Sequence, residues 1–150
     1  MKNEEVASFY ETASQFLSFV TKNEITHLSV NHLMTMLMKL YIEGLSLPDY
    51  PDIEIETDDA HMTSVMPSIT ISKELPNLYW QIYYPFNEND LVGGALYDDI
   101  MDIVWDLLSG MEEYNKGRIG NAVFSWRFGL DNHWGQHAVD AIRVLHALRT

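Results

Sequence analysis

The stretch Trp126-Arg127-Phe128-Gly129-Leu130-Asp131-Asn132-His133-Trp134-Gly135-Gln136-His137-Ala138 decides the fold, because it reads two ways. Phe124, Trp126, Phe128 and Leu130 alternate as a strand would. Val123, Trp126, Leu130, Trp134, Ala138, Ala141, Leu145 and Leu148 step by three, four or seven, as one face of a helix does. The helical pattern runs much further and meets no proline, so residues 121–148 are predicted to be helix, bent near Gly129 or Gly135. On such a helix His133 and His137 stand one turn apart and point the same way.

Working outward, the same periodicity recurs three times. Asp98 and Asp99 open a helix whose apolar face is Leu96, Ile100, Ile103, Val104, Leu107, Leu108 and Met111, and two acids there suit the positive end of a helix dipole. Asn115-Lys116-Gly117 closes it. Val6, Phe9, Tyr10, Ala13, Phe16, Leu17 and Val20 mark a first helix with Asn3 as N-cap. Val30, Leu33, Met34, Leu37, Leu40 and Tyr41 mark an antiparallel second one, capped by Thr26 or Ser29 and ended at Gly44. Residues 46–75 carry Pro48, Pro51 and Pro67 and six acids from Asp49 to Asp59, and read as an irregular acidic crossover. Ile53–Glu56 and Ile69–Ile71 alternate there, each long enough only for an edge strand or extended loop. The state of the aromatic run Leu78–Phe86 is open between strand and helix. The fold expected is all-α, a single up-and-down four-helix-bundle-like domain over residues 1–150, with a long crossover able to hold short strands.

Composition narrows the function. The chain has 150 residues and no cysteine, which removes thiol catalysis, disulfides and sulfur-ligated clusters. An acidic N-terminus followed by an amphipathic pattern argues against a signal peptide, and no apolar run is long enough to span a bilayer. A cytoplasmic bacterial-type protein is expected. The net charge of −13, with nine Lys and Arg in no dense patch, disfavours nucleic acid and membrane as partners.

Candidate chemistry gathers at the two histidines. Imidazoles at i and i+4 have the spacing that shares one divalent metal, and Asp140 is a possible third ligand. Asp98, Asp102 and Asp106 form a carboxylate stripe on the third helix, with Asp99 beside it. Facing His133 and His137, these carboxylates would make a mixed site for Zn, Fe or Mn, or for general acid–base work. The competing reading is a structural network of ion pairs and hydrogen bonds. Arg127 and Asp131, one turn apart, read as a helix ion pair, with anion binding by Arg127 as the minority alternative. Asp140 is equally able to pair with Arg143. Trp126 and Trp134 read as core that flanks the histidines. Met34, Met36 and Met38 cover more than one helix face, so an exposed one offers a homodimer contact. His27, His32, His61 and His146 have no partners at chemical spacing. No phosphate loop, nucleophile elbow or calcium loop is present.

The run Asp98-Asp99-Ile100-Met101-Asp102-Ile103-Val104-Trp105-Asp106-Leu107, followed by Trp126-Arg127-Phe128 and by His133-Trp134-Gly135-Gln136-His137-Ala138 through His146, resembles a family of uncharacterised bacterial proteins. The Tyr83–Phe86 stretch fits as well. The resemblance implies an all-helical, bundle-like fold and no particular activity. Two functions are therefore expected. The first is a helical module that binds a protein or small ligand through Trp126, Arg127, His133, Trp134 and His137. The alternative is a metal-binding protein or metal-dependent enzyme using His133, His137, Asp140, Asp98, Asp99 and Asp102.

Overall fold

The structure, a computed structural model, describes residues 3–49, 53–57, 63–88 and 90–149. Among these residues, five α-helices and one hairpin follow in the order α1 (Asn3–Lys22), α2 (Val30–Ser46), β1 (Leu78–Ile82), β2 (Leu91–Ala95), α3 (Leu96–Asn115), α4 (Ile119–Asn132) and α5 (Trp134–Ala147). This is an irregular helical bundle with a short antiparallel hairpin in its crossover. His61 and the Asp52, Asp58 and Asp59 part of the acidic run lie outside the described residues, as does the cap position of α1, which starts at Asn3 itself.

The apolar stripes read from the sequence are the core. Phe9, Phe16, Leu33, Leu37, Leu40, Ile100, Ile103, Leu107, Trp126 and Trp134 are fully buried, each worth about 1.5–3 kcal/mol or more of apolar transfer. Ser8 near the start of α1 reaches Glu43 near the end of α2, and Phe19 near the end of α1 meets His32 near the start of α2. The pair is therefore antiparallel. Ahead of α2, Thr26 accepts from the Leu28 N–H and Ser29 returns a bond to the Thr26 N–H, a capping box around a single 3-10 turn, His27–Ser29. Helix α3 packs on both α4 and α5, and α5 packs on α2.

Two local expectations need correction. Gly44 does not end α2; the helix runs on to Ser46, and Gly44 is buried inside it beneath Leu130 and Trp134. Its smallness serves packing, not a left-handed cap. The C-terminal segment is not one bent helix but two, broken at His133 with φ −149° and ψ −82°. The corner is tight. A Cβ on Gly135 would lie 2.0 Å from the Leu130 carbonyl oxygen, so only glycine permits the chain to turn back there. The short strands expected in the crossover are the pair 78–82 and 91–95; residues 53–56 form no strand, and 69–71 contribute one parallel bridge, Ile71 to Ile25.

The crossover is tied down by specific polar contacts. The Glu112 carboxylate accepts from the N–H and hydroxyl of both Thr63 and Ser64, at 2.7–3.0 Å. Asn121 exchanges two hydrogen bonds with the backbone of Glu56. Beyond it, Asn77 accepts the Leu96 and Tyr97 N–H groups through its carbonyl and its side chain, so the residue before β1 satisfies the open end of α3. Hairpin and α3 are thereby held in one geometry.

Candidate metal centre

Three residues of α3 face the α4–α5 corner. Asp99, Asp102 and Asp106 follow i, i+3, i+7 spacing and so share a side of the helix. Across from them, His133 sits in the break between α4 and α5 and His137 in the first turn of α5. Their rings lie 5.0 Å apart at 82°.

Each imidazole is held by its Nδ1. His133 Nδ1 meets Asp106 Oδ2 at 2.8 Å, and His137 Nδ1 meets Asp99 Oδ1 at 2.8 Å. An ionised carboxylate only accepts, so both Nδ1 atoms carry hydrogen. Asp99 is 3% exposed, and its other oxygen accepts the Tyr79 hydroxyl at 2.7 Å. Burial first, and then the Asp99 carboxylate, push the Tyr79 hydroxyl far above its ordinary range, so it remains a donor. The hydrogen bond from His137 to Asp99 is the main cause that raises the His137 pKa, opposed by burial and helped by Asp102. Burial raises the Asp106 carboxyl, with the His133 hydrogen bond working against it.

With Nδ1 committed on both rings, the Nε2 atoms are left. His137 Nε2 lies 3.2 Å from Asp102 Oδ2. Asp102, His133 and His137 each offer a ligand atom, all within 4.8 Å of one another. Ligand atoms around a tetrahedral zinc at bond lengths of about 2.0–2.2 Å lie roughly 3.3–3.6 Å apart. The His137–Asp102 edge already has about that length. The remaining closure falls to His133, whose side chain is the least packed of the three at 47% exposed.

The cluster opens on a cavity of about 450 Å³ between the α4–α5 corner and the inner face of the hairpin. Tyr79 and Gln81 of β1 line it, as do Asp98, Gln136 and Asp140. Hairpin register explains the inner face. Tyr79 pairs with Gly94 and Gln81 with Val92, and a Cβ on Gly94 would lie 2.4 Å from the Tyr79 ring. Glycine there lets Tyr79 lie across β2 and reach Asp99. Asp140, 8% exposed, accepts from Gln136 at 2.9 Å and Gln81 at 3.3 Å.

The residues singled out in the sequence divide between two places. His133, His137, Asp102 and Asp99 come together, with Asp98 and Asp140 in the same cavity wall. The side chains of Trp126, Trp134 and Arg127 stand elsewhere, although the Trp134 backbone hydrogen-bonds the Asp106 carboxylate. Trp126 is buried and donates to the Leu107 carbonyl, and Trp134 donates to the Trp126 carbonyl. Arg127 approaches Asp131 at 3.6 Å and Asp49 at 3.1 Å, and donates to the Leu45 carbonyl at 2.8 Å, closing the end of α2. Arg143 donates to the Trp80 carbonyl. The sequence gives no signal for Tyr79, Gln81 or Gln136 at the site, whereas Asp106 belongs to the carboxylate stripe read from it and holds His133.

Fold and site together define a helical-bundle domain carrying a carboxylate-braced histidine pair at the mouth of a cavity. The chain belongs to the DUF5063 family, a domain of unknown function, whose profile matches residues 1–150. Neither the curated proteins nor the solved structures offer a match to it. No helix among the described residues is long and apolar enough to cross a membrane.

Proposed function

We propose that this protein binds a divalent transition metal through His133 Nε2, His137 Nε2 and Asp102, with a coordination position left facing the cavity. One observation carries the reading: both imidazoles give Nδ1 to a carboxylate. That arrangement is the usual outer support of metal-bound histidine, fixing the tautomer and raising the basicity of Nε2. Two imidazoles and one carboxylate with an open position suit zinc in hydrolytic sites and iron in mononuclear oxygen sites. Asp99 and Asp106 serve as positioning residues, and Asp140 and Asp98 shape the wall. The test is elemental analysis of protein purified after supplementation with zinc, iron or manganese, beside a His133→Ala/His137→Ala variant. About one metal per chain in the wild type, lost in the variant, supports the reading; a metal-free wild type removes it.

A second reading, an interaction module, is favoured by the outer face of the hairpin. Leu78, Trp80 and Ile82 are 79%, 69% and 46% exposed, and Phe86 beyond them is 85% exposed. Apolar groups so placed commonly mark a contact with another protein, here a second copy of the chain. A monomer by light scattering at millimolar concentration would dismiss that dimer.

A further inference from the structure

One edge of the hairpin is open. The Leu96 N–H donates to the Asn77 carbonyl, and that bond sets the alternation of the ladder beside it. Tyr79–Gly94 and Gln81–Val92 are then the pairs that hydrogen-bond to each other, whereas Leu78, Trp80, Ile82, Leu91 and Gly93 turn their backbone groups outward. On β1 the outward side is covered, with Arg143 of α5 donating to the Trp80 carbonyl at 2.9 Å. On β2 it is bare. The outward N–H and C=O groups of Leu91 and Gly93 meet no hydrogen-bond partner among the described residues, and both residues are exposed.

Proteins normally blunt such an edge with lysine, proline or a bulge, because it templates another strand. Leu91-Val92-Gly93-Gly94-Ala95 has none of the three. The hairpin also gains from a neighbour, since two strands alone are marginally stable in water.

Charge and side-chain size identify the neighbour. A two-fold contact sets each charge near its axis against its own copy, which a chain of net charge −13 tolerates only on neutral surface. Both strands are free of charged residues, and Leu78, Trp80, Ile82 and Leu91 give their shared outer face only apolar side chains, all exposed. Gly93 has no side chain to crowd a second strand. The Trp80 ring already leans over β2, 3.9 Å from where a Cβ on Gly93 would stand.

We propose that two copies of this chain pair β2 with β2, antiparallel about Gly93, to make one four-stranded sheet across a two-fold axis. Leu91 of each copy then faces Ala95 of the other, Gly93 faces Gly93, and the two Trp80 rings cover the glycine pair. The inference rests on the second-copy reading of the hairpin and adds the edge by which the copies join; it is independent of the metal.

The experiment is sedimentation and amide hydrogen exchange on wild type from about 10 µM to about 1 mM, beside Gly93→Pro and Gly93→Lys. Proline at 93 removes an N–H that the hairpin itself does not use. Lysine keeps that N–H and finds room, but sets two like charges across the axis while lowering the net charge of the chain. Wild type is expected to dimerise, with exchange at the Leu91 and Gly93 amides slowing about ten-fold or more over the range. The Val92 amide, already bonded within the hairpin, should change little. Gly93→Pro is expected to stay monomeric, and Gly93→Lys to pair about ten-fold more weakly, each with the core spectrum of wild type. A dimer whose Leu91 and Gly93 amides exchange as fast as in the monomer, or one that both variants leave intact, overturns edge pairing while the second-copy reading stands. A wild type that stays monomeric at about 1 mM overturns both, and is the result an edge reserved for another protein's strand would give.

Discussion

Asp99 is the residue on which the site turns, because it is buried and both its oxygens are taken, one by Tyr79 and one by His137. Asparagine has the same shape but one acceptor oxygen, so it cannot receive both donors. Asp99→Asn is expected to weaken zinc binding about 10–100-fold, the usual cost of losing such an outer partner. A competition titration with a chelating dye reads this directly, and unchanged affinity would show that His137 needs no brace. His137 also ties the metal-free fold to pH. Its folded pKa is raised, so its stabilising contribution is complete below the ordinary value of 6.5 and fades as pH climbs through the raised value. Urea unfolding of metal-free wild type and His137→Gln should therefore differ most near pH 5.5 and least near pH 9. A gap that widens with pH would reverse the assignment. Metal binding runs the opposite way, since a proton on Nε2 competes with the ion, and affinity should climb as pH rises.

At the scale of elements, the corner between α4 and α5 places His133, and Gly135 permits the corner. The Leu130 carbonyl that a Cβ would strike is backbone and has nowhere to go. Gly135→Ala is expected to cost about 1–3 kcal/mol, as overpacking does, against less than about 0.5 for Val139→Ala on the exposed side of α5. Urea midpoints of the two variants settle it; equal values would mean the corner relaxes freely. Glu112 does comparable work for the crossover. Its side chain is only 9% exposed, and hydrogen bonds from Thr63, then Lys116 and Ser64, hold its carboxyl far below the ordinary range. Its contribution is present above the ordinary carboxylate value and is lost as pH falls through the depressed one. Glu112→Gln should speed amide hydrogen exchange at Thr63 and Ser64 while leaving α1 and α2 protected. Unchanged exchange at those two amides would show another anchor.

These elements were unequally legible. The stripes of α1, α2 and α3 could be read because each buries one continuous side, and burial writes a 3.6-residue period into the sequence. The break at His133 could not be read, because Leu130, Trp134 and Ala138 keep helical spacing across it; the two glycines were its sole mark. The hairpin hid for another reason. Leu78, Trp80 and Ile82 are apolar and exposed, so the strand shows no apolar-in, polar-out alternation. With the hairpin went Tyr79 and Gln81, whose place depends on register that only three-dimensional pairing defines.

For the whole molecule, the design is a division of one helix. Helix α3 gives Ile100, Ile103, Val104 and Leu107 to the core, and Asp99, Asp102 and Asp106 to the histidines. An acidic chain with net charge −13 thus concentrates carboxylates where two imidazoles await them. That the two histidines share one helix face and the aspartates another was readable from spacing; that the two faces meet, and which nitrogen each aspartate holds, was not, since both follow from tertiary contacts. The direct test is a long-range nitrogen-15 NMR spectrum of the imidazoles, recorded before and after one equivalent of zinc. Nδ1 of His133 and His137 should stay protonated throughout, while both Nε2 resonances move together to positions typical of metal-bound nitrogen. Zinc arriving at Nδ1, or leaving both rings unmoved, would contradict the account.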